Sequence, residues 1–166
     1  MYRWLAIALC LCLAAAARAQ SSPPPRFADY PAEPRHRAAV AAPVLQSRQD
    51  RLYRTRVREA FADGKVNFAG HYILSAFGCG SSCLMVFALD ADSGRVSWLP
   101  FTVSWGLEDN GIGETYLPLD FRADSRLLVI AGSRNEHGHG LYHYVLEHGR
   151  FRLLQAKQDP PGGLWD

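Results

Sequence analysis

The sequence predicts a mainly β domain, an antiparallel meander of about seven short strands preceded by one N-terminal amphipathic helix. Three observations carry this expectation. Every apolar stretch after Gly64 is short and bounded by turn residues such as Asp92-Ser93-Gly94, Ala123-Asp124-Ser125 and His148-Gly149. The run Leu84-Met85-Val86-Phe87-Ala88-Leu89 is apolar on both faces, as a central strand covered on both sides requires. Helical periodicity is confined to Leu52, Tyr53, Val57, Ala60 and Phe61.

The helix is expected over about 16 residues. Ser47 and Asp50 resemble a capping box at its start, and Gly64 ends it. Strands are expected over 67–77, 83–90, 95–102, 115–121, 126–131, 141–147 and 150–155. Polar loops are expected around 106–113 and over Ser133–Gly140. His148-Gly149 is a two-residue hairpin signal. Sequential hairpins favour one antiparallel sheet, and its arrangement as a barrel, a sandwich or a propeller-like blade stays open. The Phe121–Gly132 segment has the look of a propeller strand pair.

Residues 1–19 read as a secretory signal peptide. Arg3 is the basic end, an apolar run extends from Leu5 to Ala17, and Ala17-Arg18-Ala19 is the cleavage signal. The apolar run is too short for a comfortable membrane span of about 20 residues, and no later stretch approaches that length. Cys10 and Cys12 lack the preceding small residue of a lipoprotein signal. The expected organisation is a signal peptide (1–19), a Pro-rich extended linker (20–46), a β-rich domain with its leading helix (47–156), and a C-terminal tail (157–166).

Removing the leader takes away Arg3 and Arg18 but no acid, so the formal net charge falls from +2 to 0. A neutral mature chain argues against nucleic acid or an anionic membrane surface as the main partner. Export would place Cys79 and Cys83 in an oxidising compartment, the periplasm or the extracellular medium, where a lone pair of thiols forms a disulfide. Four steps along a strand span about 13 Å, whereas a disulfide needs Cα atoms about 4.4–6.8 Å apart, so the chain must turn back at Gly80-Ser81-Ser82. A redox-active pair is the alternative, but the spacing is not C-x-x-C and no βαβ pattern surrounds it.

Asn67-Phe68-Ala69-Gly70-His71-Tyr72, Gly78-Cys79-Gly80-Ser81-Ser82-Cys83, and Asp90 with Ser93-Gly94 together resemble a group of small exported bacterial proteins, over roughly Arg56–Leu154. The resemblance implies export and a β-rich fold and carries no catalytic residue across. Leader, size and meander are similar in kind to periplasmic lysozyme inhibitors and secretion-system immunity proteins.

Four sets of residues are candidates for function. In Asn135-Glu136-His137-Gly138-His139-Gly140-Leu141-Tyr142-His143, strand alternation would put His137, His139 and His143 on one face, able to hold Zn²⁺ with Glu136 or water. The competing reading is a solvated Gly-rich turn. His71 could serve as a base toward a free cysteine thiolate, or simply satisfy a backbone carbonyl. The acidic residues from Trp105 to Glu114 could bind Ca²⁺ or serve a glycosidase, although the spacing is not that of an EF-hand. The same loop, through Trp105, Leu107, Glu108, Asp109, Asn110 and Ile112, could form an aromatic anchor with a polar rim for a protein partner.

The last reading is preferred. The chain is expected to be an exported, single-domain binding protein without a cofactor, acting on a protein partner in the cell envelope, as an inhibitor of a cell-wall-active enzyme or an immunity-type protein would. Its contacts would come from the loops at 104–114 and 133–140. The alternative is a metal-binding protein or metal-dependent hydrolase built on His137, His139 and His143. No nucleophile elbow, zincin motif or phosphate loop is present in the sequence.

Overall fold

The computed structural model describes residues 22–33, 39–105 and 118–159. Two short helices, α1 (Arg48–Leu52) and α2 (Arg54–Asp63), lead into eight strands: β1 (Tyr72–Gly80), β2 (Cys83–Asp90), β3 (Val96–Trp98), β4 (Val103–Ser104), β5 (Leu119–Phe121), β6 (Leu127–Arg134), β7 (His137–Glu147) and β8 (Arg150–Gln158). All pairings are antiparallel, in the order β1-β2-β4-β6-β7-β8, with β3 on β2 and β5 on β6. The mainly β expectation holds, and the sheet is open: β1 and β8 stand at its ends, which removes the closed barrel.

The sheet bends because β4 is only two residues long. β2 pairs with β4 through Cys83 and Leu84 but with β3 through Phe87–Leu89, and β6 divides likewise between β4 and β5. The sheet is thereby split into two leaves joined at one end. Their inner faces share a core of Leu74, Leu84, Val86 and Ala88 from one leaf and Leu128, Ile130, Tyr142, Tyr144 and Leu146 from the other, with Phe68 buried among them. At about 25 cal/mol per Å² of apolar surface, this shared interior is what holds the leaves together.

Alternation along β2 sends its other face outward, where Phe87 and Leu89 join Ile73 against Val57 and Ala60 of α2. The run at 84–89 is thus covered on both sides, as its composition requires.

Three boundaries differ from expectation for identifiable reasons. The single helix is broken at Tyr53, whose φ −103°, ψ 25° is not helical, so the capping box of Ser47 and Asp50 serves a five-residue helix. Tyr53 instead packs its ring, tilted, against Phe77 and Trp98, with centres 5.2 and 5.5 Å apart. The expected strand at 95–102 is cut to β3, ending before Pro100, which has no N–H to give a ladder, and pairing resumes only in β4, just past the expected end. The expected loop at 133–140 is instead a tight hairpin: β6 runs to Arg134, β7 starts at His137, and Asn135 and Glu136 turn the chain at φ 50° and 65°. Asn is well suited to such a turn.

The segments before the helices lie on the domain. The Arg126 N–H donates to the Tyr30 carbonyl at 2.9 Å, and the Ser125 hydroxyl lies 2.9 Å from the carbonyls of both Phe27 and Tyr30. Gln155 of β8 donates to the Ser22 carbonyl at 3.1 Å. Residues 22–33 therefore form a strap from the β5–β6 turn to the last strand. Residues 39–46 run beside the β2–β3 turn, bonding Ala41 to Ala91 and Val44 to Gly94.

Candidate functional site

The cysteine segment is the turn between β1 and β2. Cys79 and Cys83 are joined in a disulfide with Cα atoms 5.2 Å apart, and Ser82 takes φ 49° at the reversal. Both sulfurs are consumed, so there is no thiolate for a base to activate. His71 lies just before the other end of β1, its Nε2 4.0 Å from Asp90 Oδ1 and its ring 4.4 Å from that of Tyr72. The Cys–His reading is therefore set aside.

Asn67–Tyr72 is a scaffold element too. Phe68 and Tyr72 exchange backbone hydrogen bonds across a turn at Ala69-Gly70, and the Asn67 amide both accepts from Leu74 N–H at 2.7 Å and donates to its carbonyl at 3.1 Å. Asn67 so fills the open edge of β1 at Leu74 as a neighbouring strand would. The tip docks on the 122–125 turn through the N–H groups of Ala69 and Gly70. Gly70 has φ 78°, and a Cβ there would come within 1.8 Å of the Glu33 carbonyl oxygen, so only glycine fits. The Asp90 carboxylate caps the β2–β3 turn by accepting from the N–H groups of Asp92 and Ser93. Burial, with the charges of Asp90 and Asp92, pushes the Tyr72 phenol up to about 12.

The four residues of the metal expectation are not brought together. Glu136 is exposed in the hairpin turn, and His137 and His139 are exposed at the start of β7. The His139 Nδ1 lies 2.7 Å from Asp159 Oδ2. His143 is only 5 % exposed and lies further along β7, between Val129 of β6 and Gln155 of β8; its Nδ1 has no partner, and burial lowers its pKa. Among the described residues no three His, Cys, Asp or Glu side chains are gathered to hold a metal. Alternation from His137 to His143 assumed an extended strand, whereas Gly138 sits at φ 63°.

Of the loop expected to meet a partner, Leu107, Glu108, Asp109, Asn110 and Ile112 lie outside the described residues, as does the rest of the acidic stretch proposed for Ca²⁺. Trp105 is half-buried, packed against the shared core, and its N–H donates to the Ser82 carbonyl at 3.4 Å. It follows β4 directly, at the end where the two leaves join.

The β6–β7 hairpin is tied to that same end. Asn135 donates its N–H to the Thr102 carbonyl and accepts from the Thr102 N–H, both at 2.9 Å. Beside this clasp is a shallow groove of about 250 Å³ lined by Gln49, Met85, Val86, Leu99, Pro100, Phe101, Thr102 and Asn135.

On the inner face, Arg134 stacks on Tyr142, 4.2 Å from the ring centre, faces Phe101 at 5.8 Å, and donates to the Tyr144 hydroxyl at 3.0 Å. That hydrogen bond raises the Arg134 pKa; burial raises that of Tyr144, against the opposing influence of Arg134. Sequence reading passed over this group. Its signal was the alternation of Tyr142 and Tyr144 on one face of β7, which becomes informative only once Arg134 is known to pair near the same end.

The fold and this end of it define a class: a mainly β scaffold, with a disulfide across its first hairpin turn, that holds a half-buried arginine against buried tyrosines where its two leaves join. No family model, no curated protein and no solved structure matches the chain.

Proposed function

We propose that the protein is an exported binding protein that occludes a protein partner in the cell envelope, a cell-wall-active enzyme, through the surface formed by Trp105, the 99–105 segment and the β6–β7 hairpin. The observation that carries this reading is the double hydrogen bond between Asn135 and Thr102, which orders two connections into one surface before any partner arrives. A loop ordered beforehand loses less entropy on binding, and connections on a rigid scaffold are where recognition usually lies. Two further facts are compatible with export: the disulfide, and the absence among the described residues of any helix long and apolar enough to cross a membrane.

The test is capture of partners from periplasmic extract with wild type and Trp105→Ala side by side. Loss of a specific partner by a variant that is still folded, its melting temperature lowered only by the packing Trp105 gives the core, is the expected outcome. Equal recovery of the same partners by both proteins would remove Trp105 from the binding surface.

A further inference from the structure

We propose that Arg134 is a carboxylate-binding anchor, taking an acidic side chain or a C-terminal carboxylate of a protein ligand on the remaining N–H groups of its guanidinium, beside the Tyr144 hydroxyl. The inference rests on the binding role proposed above only for the ligand's being a protein.

The case is an imbalance of donors over acceptors. A guanidinium carries five N–H donors and no acceptor. At most two of those of Arg134 are taken up by the two phenols, and no carboxylate among the described residues forms an ion pair with it. The arginines that do form ion pairs among the described residues reach Asp29 (Arg26), Glu59 (Arg56) and Glu147 (Arg126 and Arg152).

The tyrosines differ in the same sense. Tyr142 donates to the Gly138 carbonyl and accepts from Gln158 Nε2, so its ring is fixed beneath the guanidinium. Tyr144 accepts from Arg134, and its own proton has no acceptor among the described residues. A planar carboxylate would accept from both groups, the bidentate match for which arginine is suited and lysine is not.

Position adds to this. Arg134 is half-buried, so its charge is partly removed from water yet reachable. Tyr142, Tyr144 and Phe101 hold it, which leaves little side-chain freedom to lose on binding.

The probes are three short peptides at constant ionic strength: acetyl-Gly-Glu-Gly-amide, acetyl-Gly-Gln-Gly with a free C-terminus, and acetyl-Gly-Gln-Gly-amide. Binding is read from the NMR signals of the Arg134 Nε–H and of the Tyr144 ring. The expected result is a saturable shift with one or both carboxylate peptides, the stronger arm identifying the source of the carboxylate, and none with the neutral peptide. Arg134→Met should weaken the association, read at Tyr144, by about tenfold or more, and Tyr144→Phe should weaken it less while keeping the ring stack. An equal response to the neutral peptide, tighter binding of inorganic phosphate than of either carboxylate, no response at all, or undiminished binding by a folded Arg134→Met protein would each overturn the proposal. If that occurs while Trp105-dependent capture persists, the binding surface stands and the role of Arg134 falls.

Discussion

At the scale of single residues, much of the chemistry that looks functional in the sequence is spent on geometry. Asn67 completes a sheet edge, Asp90 caps a turn, and the cysteines close a hairpin. His143 serves no such geometry: the whole imidazole is buried, and its Nδ1, like that of His71, has no partner. Its pKa lies below the ordinary 6.5 because burial disfavours the charged ring. As pH falls below about 6.5 the unfolded chain takes up a proton that the fold refuses, so stability should decline until the folded pKa is passed. Denaturation midpoints between pH 8 and pH 5 should show this decline in wild type and a flatter profile in His143→Gln. Equal slopes in the two proteins would assign the pH dependence elsewhere. The role of the tyrosines could not be read in advance, because a phenol's partner depends on which strand lies opposite.

At the scale of elements, legibility followed periodicity. The two-sided apolar character of β2 and the His148-Gly149 hairpin were plain in the sequence, since each is a local rule with a local signal. The helix break at Tyr53 was not, because the pull of Phe77 and Trp98 on that ring is tertiary. The 133–140 stretch looked like a loop since Gly and Asn are turn residues, yet they sit in the first part of a long strand pair. The β1–β2 turn carries a test at this scale. Closing so short a ring should stabilise the fold by about 2 kcal/mol on the chain-entropy model. Replacing Cys79 and Cys83 together by serine should therefore lower unfolding free energy by roughly that amount and leave a folded β protein. Complete loss of structure would mean that the bond does more than restrict the unfolded chain.

At the scale of the whole molecule, the strap from the β5–β6 turn to β8 was the least legible feature. Its prolines announce extension, but nothing in its composition says what it lies on. The buried hydroxyl of Ser125, 1 % exposed, is its principal fastening and also accepts from the Leu127 N–H. Ser125→Ala should cost about 1–3 kcal/mol, since buried backbone groups lose their partner. Hydrogen exchange should localise the loosening to residues 27–32 and 124–127. Protection unchanged at those amides would show that the strap is held by packing rather than by this side chain.

The strap also constrains the order of folding. Its fastenings join residues 95 and 133 positions apart, Tyr30 to Ser125 and Ser22 to Gln155. Contacts of such separation are slow to form, because the intervening chain must first be organised. The stretch of the domain that leaves a ribosome or a translocation channel first is thus among the last to find its place. A chain halted before β8 has no Gln155 for Ser22, so the strap acts as a latch that closes fully only when the whole domain has emerged.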